Sequence, residues 1–365
     1  MISKTNQTFL LLLSICFFSF NAAAETTPKN GKYTKQKKVE KSFDVSKNAT
    51  LIIKNQYGNV DVISWDQNRV EIKVTITTNG NDEEKVQERL DDIKIAFDAS
   101  LNEVTAITEI ERQNSSWWNK WSNNGNISMK INYTVKVPAT NNVELSNDYG
   151  AISLNRIEGS ARISCDYGQI QIGELMSENN QLSFDYTKNS TIGYMKAGKI
   201  SADYSEFTVE KSQRVDLSAD YTRSTFGEVE ALQYSCDYGS LIAENITNLE
   251  GNGDYLGLKL GKVSGNIALT ADYGSIKLEE LTADAGNVSL KTDYAAIKIG
   301  YHPDYQFRFV IDLEYGGLGG ESDLNITKQK IESSDKYYEG YHGSAKAKNR
   351  VEISTEYGSV KLEKL

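Results

Sequence analysis

The sequence predicts an all-β chain: a single-stranded, β-helix-like solenoid of about 18-residue rungs behind a β-rich N-terminal cap domain with one helix. Three observations predict it. First, an acid followed by tyrosine recurs at Asp148-Tyr149, Asp166-Tyr167, Asp185-Tyr186, Asp203-Tyr204, Asp220-Tyr221, Asp237-Tyr238, Asp254-Tyr255, Asp272-Tyr273, Asp293-Tyr294 and Glu314-Tyr315, with tyrosine spacings of 18, 19, 18, 17, 17, 17, 18, 21 and 21. A fixed period of this length marks repeats that stack on their neighbours. Glu356-Tyr357 follows after 42 residues, as one more rung behind a long insertion. Second, apolar and polar residues alternate before each tyrosine, as on a half-buried strand. Four positions before it stand Leu145, Ile163, Leu182, Ile200, Leu217, Leu269, Leu290, Ile311 and Ile353, with Tyr234 and Gly251 as exceptions, and three before it stands mostly serine. Third, the apolar parity flips after the tyrosine, which glycine often follows, so a corner or bulge belongs at that step.

One rung is then a strand, a corner, a second strand and a variable return loop. Ten consecutive rungs stacked at about 4.8 Å would span roughly 43 Å. The left-handed hexapeptide helix has a coil of similar length, but no six-residue subrepeat is present here, which favours a right-handed or flattened coil.

From its start, the chain reads as follows. Residues 1–24 form a secretory signal peptide: Lys4 is a short basic region, Phe9 to Phe20 an apolar core, and Ala22-Ala23-Ala24 a cleavage site. Cys16 invites a lipoprotein reading, but Ile15 before it is bulky where a lipobox wants a small residue. No later stretch is apolar enough to span a bilayer, so the mature chain is expected without a transmembrane segment, exported to the periplasm, cell envelope or surface after cleavage near Ala24. The whole chain carries 40 basic and 50 acidic residues; losing residues 1–24 removes Lys4 alone and leaves a net charge of −11. That balance excludes a nucleic-acid partner on electrostatic grounds.

Residues 25–45 are a polar basic arm with Lys29, Lys32, Lys35, Lys37, Lys38 and Lys41, expected to be mobile or to dock on a partner. Residues 46–140 form the cap domain. Within it, Gln56-Tyr57-Gly58 resembles a lone copy of the rung, Trp65-Asp66 marks a turn, and Asp82 to Lys94 is a helix with Val86, Leu90 and Ile93 on one face. Strands are expected around residues 95–98, 104–111 and 127–137. Residues 141–365 are the repeat domain, with a loop or hairpin inserted near 319–345. The final strand carries Lys361, Glu363 and Lys364, charges suited to a free edge. Cys165 and Cys236 share one column four rungs apart, about 19 Å, beyond the roughly 7 Å a disulfide spans. Both read as small apolar core residues.

Three features bear on function. Trp117, Trp118 and Trp121 lie in one polar loop, either folded back on the cap or exposed as an aromatic platform for sugar, peptide or lipid. The aspartate column (Asp148 through Asp293) places like charges about 4.8 Å apart, a repulsion of roughly 0.9 kcal/mol in water. Hydrogen bonds from nearby corner amides, as in Asx-turns, offset it without a cofactor; calcium is the alternative, since oxygen-only sites suit that ion, although the calcium-binding nonapeptide is absent. The tyrosine column either packs the corner, inward or with its hydroxyls reaching water, or faces outward as a flat aromatic surface for sugars or peptides. Catalysis has little support. His302 and His342 are the only histidines, both placed in loops, and no catalytic elbow, zinc motif or phosphate loop occurs.

The run Ile53-Lys54-Asn55-Gln56-Tyr57-Gly58-Asn59-Val60-Asp61-Val62, then Trp65-Asp66, a strand ending Val137-Pro138, and the repeated Asp-Tyr-Gly-x-Ile-x-Ile carry a resemblance. Over most of residues 40–365 the chain resembles the exported bacterial adhesin-like family with β-strand repeats, a domain of largely unknown function. The resemblance implies a β-solenoid in the cell envelope or outside it, and transfers no site residues. The expected function is a non-enzymatic envelope β-solenoid that binds an envelope protein or surface glycan. A periplasmic scaffold or sensor docking another envelope protein is the second reading, and a polysaccharide-active β-helix enzyme the third.

Overall fold

A computed structural model describes residues 31–111 and 127–365. The signal segment and Trp117, Trp118 and Trp121 lie outside the described residues. The described residues are all-β: 71% strand, one α-helix, and a long sheet of 27 strands that does not close. From Asn142–Asp148 to Ala296–Tyr301 each strand pairs in parallel with one lying a single repeat away, whereas both ends of the sheet also hold antiparallel pairs.

Two walls result, joined at the Asp-Tyr corners. The first wall stacks the strand before each tyrosine. Its inner column runs in register through Ile53, Leu145, Ile163, Leu182 and Ile200, then Leu217, Tyr234, Gly251, Leu269 and Leu290, all in parallel pairing. The second wall stacks the strand after the tyrosine. There Leu154, Ile172, Ile192, Val209, Phe226, Ala243, Leu260 and Leu278 form one column. In the central rungs one strand serves both walls: the first half of Ser190–Asp203 pairs with Gln169–Leu175 and its second half with Asn180–Asp185. These through-running strands merge the walls into one sheet.

The core lies between the walls, and alternation produced it. Phe184, Phe207 and Phe226 meet edge to face at its centre, with centroids 5.3 and 6.0 Å apart. The two exceptions in the first column explain each other. Tyr234 is buried at 3% exposure, and a Cβ on Gly251 of the next rung would stand 2.4 Å from its ring. A large residue and an absent side chain thus share one space. Cys165 and Cys236 are buried free thiols, as their column required, and burial pushes both thiols up to about 12.

At the N-terminal end, Thr50–Gln56 pairs directly with Asn142–Asp148, and Val60–Trp65 with Ala151–Ile157. The rung around Tyr57 therefore stacks under the repeats, and the intervening chain extends both walls. Glu103–Ile110 and then Ile93–Ala99 continue the first wall. Ser128–Pro138, Arg69–Gly80 and Tyr33–Asp44 continue the second. The helix Glu83–Asp91 packs over this end, with Val86 and Leu90 buried and the Asp82 side chain accepting from Lys85 N. Ile93, expected on the helix, opens the next strand instead.

The expected mobile arm is corrected for Tyr33–Asp44, a twelve-residue strand paired antiparallel with Arg69–Gly80 along its whole length. Lysines concealed its alternation: Tyr33, Lys35, Val39 and Phe43 are half-buried on one face. Its lysines suit an edge strand, because charge discourages pairing with another sheet.

The C-terminal end departs furthest from chain order. Asn349–Glu356 inserts between Val288–Asp293 and Phe307–Glu314, parallel to both. Ser359–Lys364 likewise sits between Ala296–Tyr301 and the short strand Gly317–Gly319. The last strand is therefore an interior one, contrary to its edge-like charges, which form the Lys298–Glu363 and Lys361–Glu363 ion pairs. The expected insertion is a hairpin, Asn325–Glu332 with Asp335–His342, and its second strand covers Phe307–Glu314 antiparallel. His342, expected in a loop, ends that strand buried, its Nδ1 2.8 Å from Tyr305 O.

Candidate binding face

Each corner tyrosine has φ between 51° and 62°, the left-handed region; twelve do so, including Tyr57, Tyr315 and Tyr357. This conformation costs an L-residue about 1–2 kcal/mol. The bent backbone is tied down from the next rung. Tyrosine N–H groups donate to the following rung's Asp or Glu carbonyl at 2.8–3.0 Å, from Tyr57–Asp148 to Tyr357–Glu314. Sequence reading gave the unusual backbone to the following glycine, and that is corrected. Those glycines have no positive φ; they are needed because the stacked corners touch. A Cβ on Gly168 would stand 2.0 Å from Gly150 O. Where the glycine is absent, Ser205 and Thr222 turn inward and donate to carbonyls of Asp203 and Ala202 at 2.8 and 2.9 Å.

The rings form one continuous stack. From Tyr57 through Tyr149, Tyr167 and Tyr186 the centroids are 4.9–5.3 Å apart, and from Tyr186 through Tyr255 they are 4.8–5.0 Å apart. Tyr255, Tyr273 and Tyr294 continue it, and then Tyr357 stands at 4.7 Å from both Tyr294 and Tyr315. Interplanar angles are 1–9°. Coplanar rings could not approach so closely, so each ring lies against its neighbours' faces with a lateral offset. Eleven of the twelve remain 46–58% exposed. The inward alternative is therefore wrong. So is the flat aromatic surface, since the ladder presents ring edges and a file of phenolic hydroxyls, with ring faces covered except at its two ends.

The acids beside the ladder are ordered by the same stacking. Asp185, Asp203, Asp220 and Asp237 each accept from the next rung's Asp N–H through Oδ1 at 2.8–3.1 Å. Asp272 does the same for Asp293 at 3.2 Å. The offsetting amide thus comes from the neighbouring rung, where an Asx-turn would have used the same corner. Repulsion persists: burial, then the Asp185 and Asp148 carboxylates, holds Asp166 above its usual range. Burial, then Glu356, does so for Glu314.

Stacking also raises the phenols of Tyr186, Tyr238 and Tyr273, first by desolvation and then by the charge a neighbouring tyrosinate would bring. Unfolded tyrosine loses its proton near 10.0, and these three lose it later in the folded chain. The folded state then holds more protons above that pH, so stability is full below it and falls as pH rises beyond it. The phenolate absorbance that Tyr186→Phe, Tyr238→Phe and Tyr273→Phe together remove should appear late and with loss of the β-sheet circular dichroism signal; its appearance at 10.0 in an intact fold would refute the coupling.

The sequence identified nine of these Asp-Tyr pairs as a ladder and read them as structural; all nine line one edge. Tyr57 was legible through Gln56-Tyr57-Gly58, yet only pairing shows that it begins the stack. The outer face of the second wall carries cross-rung ion pairs such as Lys211–Glu228 at 2.7 Å and Arg156–Glu174. No helix among the described residues is long and apolar enough to cross a membrane.

No family model matches the chain, and no curated protein matches it. Solved structures do. One is a provisionally assigned cell adhesion protein from Clostridium sporogenes, with 11% identity, 91% of this chain and 100% of that chain covered, and a TM-score of 0.19. Another is a provisionally assigned adhesin from Parabacteroides distasonis, with 10% identity, 90% and 97% coverage, and a TM-score of 0.33. A third, from the same organism, is a provisionally assigned lipid binding protein, with 11% identity, 90% and 96% coverage, and a TM-score of 0.30. Likenesses of this grade assign neither family nor activity.

Proposed function

We propose that the chain is a non-enzymatic β-solenoid of the bacterial cell envelope, exported by residues 1–24, which recognises an extended envelope partner along its tyrosine ladder. The rung-to-rung parallel register supports the solenoid. One observation carries the function: eleven half-exposed tyrosines are held in a left-handed conformation. Strained backbone of this kind concentrates at ligand sites. The same edge-and-hydroxyl pattern repeats on every rung instead of converging at one, which suits a partner extended along the stack. Neither a cofactor nor a converging set of reactive groups is needed for this role.

The test is co-sedimentation of the purified chain with bacterial envelope fragments. Tyr186→Ser, Tyr204→Ser and Tyr221→Ser together should weaken retention by about tenfold or more, whereas the three Tyr→Phe changes keep the stack and report the hydroxyls alone. Undiminished retention of a folded triple serine variant would overturn the proposal. Protease treatment of intact cells then separates the settings: cleavage places the chain on the surface, and protection until the outer membrane is opened places it in the periplasm as a docking scaffold.

A further inference from the structure

The outer face of the first wall holds a second feature. Two positions outward from the aspartates, Ser164, Ser183, Ser201, Ser218 and Ser235 stand in register on five successive strands, followed by Asn252. Serine is the smallest hydroxyl side chain, and this row lies between two rows of larger ones. On one side runs the Asp-Tyr ladder. On the other run Arg162, Gln181, Lys199, Asp216 and Gln233. The difference in side-chain length leaves an open groove of about 730 Å³, within the volume range of small-molecule sites. Over six strands at about 4.8 Å it extends roughly 24 Å.

The groove floor is hydroxyl-rich and without charge. Ser183, Ser201, Ser218 and Ser235 are exposed and Ser164 is half-exposed. Among these, Ser235 donates to Asn252 Oδ1 at 3.1 Å; the hydroxyls of Ser164, Ser183, Ser201 and Ser218 have no hydrogen-bond partner among the described residues. Each hydroxyl offers one donor and two acceptor positions, at a constant spacing set by the strands. One rim selects by charge. The aspartate column disfavours a polyanion; on the other rim Arg162 lies 3.9 Å from Glu144 and Lys199 stands in register with Asp216, so their charges are locally matched.

We propose that this serine-floored groove is a binding site for one strand of a neutral polysaccharide lying along the stack. A polyol chain brings donors and acceptors together, as the serine row does, and carries no charge for the aspartate rim to reject. The site lies beside the tyrosine ladder, on its own row of side chains, and stands whether or not the ladder binds a partner.

The experiment is affinity electrophoresis of the full mature chain through gels holding a neutral glucan, dextran or cellulose ether, with alginate and chitosan as the charged arms. Retardation by a neutral polymer is expected, and stronger retardation by either charged polymer would overturn the proposal, as would no retardation by any neutral one. Ser201→Gln with Ser218→Gln fills the groove at exposed strand positions and should weaken binding by about tenfold or more with an unchanged melting temperature. Ser201→Thr is the conservative variant and should keep binding. Loss of binding in the tyrosine-ladder triple variant, with retention in the groove-filling variant, would relocate the site to the ladder and refute the groove.

Discussion

Removing Asn349–Leu365 should destabilise the whole C-terminal end, far more than loss of a terminal segment normally does. Chain ends usually tolerate trimming because few contacts hold them. Here the last two strands are an interior rung. Asn349–Glu356 is paired on both sides, and its loss would leave Val288–Asp293 and Phe307–Glu314 without their shared neighbour. Val351, Ile353, Val360 and Leu362 are each 1–2% exposed, and burying four such side chains contributes about 6–12 kcal/mol before entropy. The buried Thr292–Thr355 hydrogen bond of 2.8 Å and both ring contacts of Tyr357 go with them. Hydrogen exchange should lose protection at Ala296–Tyr301 and throughout Phe307–Glu314, with a lower melting temperature. Trimming Lys364 and Leu365 alone should do little. If the long truncation melts like the full chain and exchange changes only at the cut, the interior placement is wrong.

Tyr221→Ala should destabilise the fold by about 2–4 kcal/mol, and Tyr221→Gly by about 1 kcal/mol less. The ring of Tyr221 stacks on Tyr204 at 4.8 Å and on Tyr238 at 4.9 Å. Two such contacts contribute about 1–3 kcal/mol, and the rest is ring surface lost from the column. Both substitutions lose this. They differ at the backbone, where φ is 53°: alanine keeps the left-handed penalty and glycine has none. The usual order of these residues in a strand is thus inverted. Denaturant unfolding of both variants measures it. Equal losses would show that the left-handed corner carries no strain, and no loss in either would show that the stack contributes nothing. On these magnitudes stacking offsets the corner's strain without greatly exceeding it. The ladder is then kept near balance by the pairing of the walls, and its exposed edge is available to a partner.

How far the fold could be read varies with the residue. The rung, its two strands and the corner were legible because a strand with one buried face must alternate, and a stacked repeat must return each residue type to its column. Leu145 through Leu290 show both. The register of Cys165 and Cys236 was legible for the same reason, and so was their lack of a disulfide. Tyr33–Asp44 was not, because only Tyr33, Val39 and Phe43, with the stem of Lys35, half-bury on this edge strand, while its exposed lysines read as a mobile arm. The glycines were assigned the corner's backbone on general preference. Their actual constraint is a carbonyl of the neighbouring rung, which no single repeat contains.

The sequence by itself determined the repeat, the alternation that separates inside from outside, and the placing of tyrosine, acid and serine in three parallel files. The tertiary structure alone decided the order of the last rungs, since Phe307–Glu314 and Asn349–Glu356 carry the same pattern and periodicity cannot say which lies outermost. It also decided which part of each tyrosine meets solvent. Local parity allows a ring to point in or out. Only a neighbour about 4.8 Å above and below turns its faces inward along the stack and leaves its edge and hydroxyl outside.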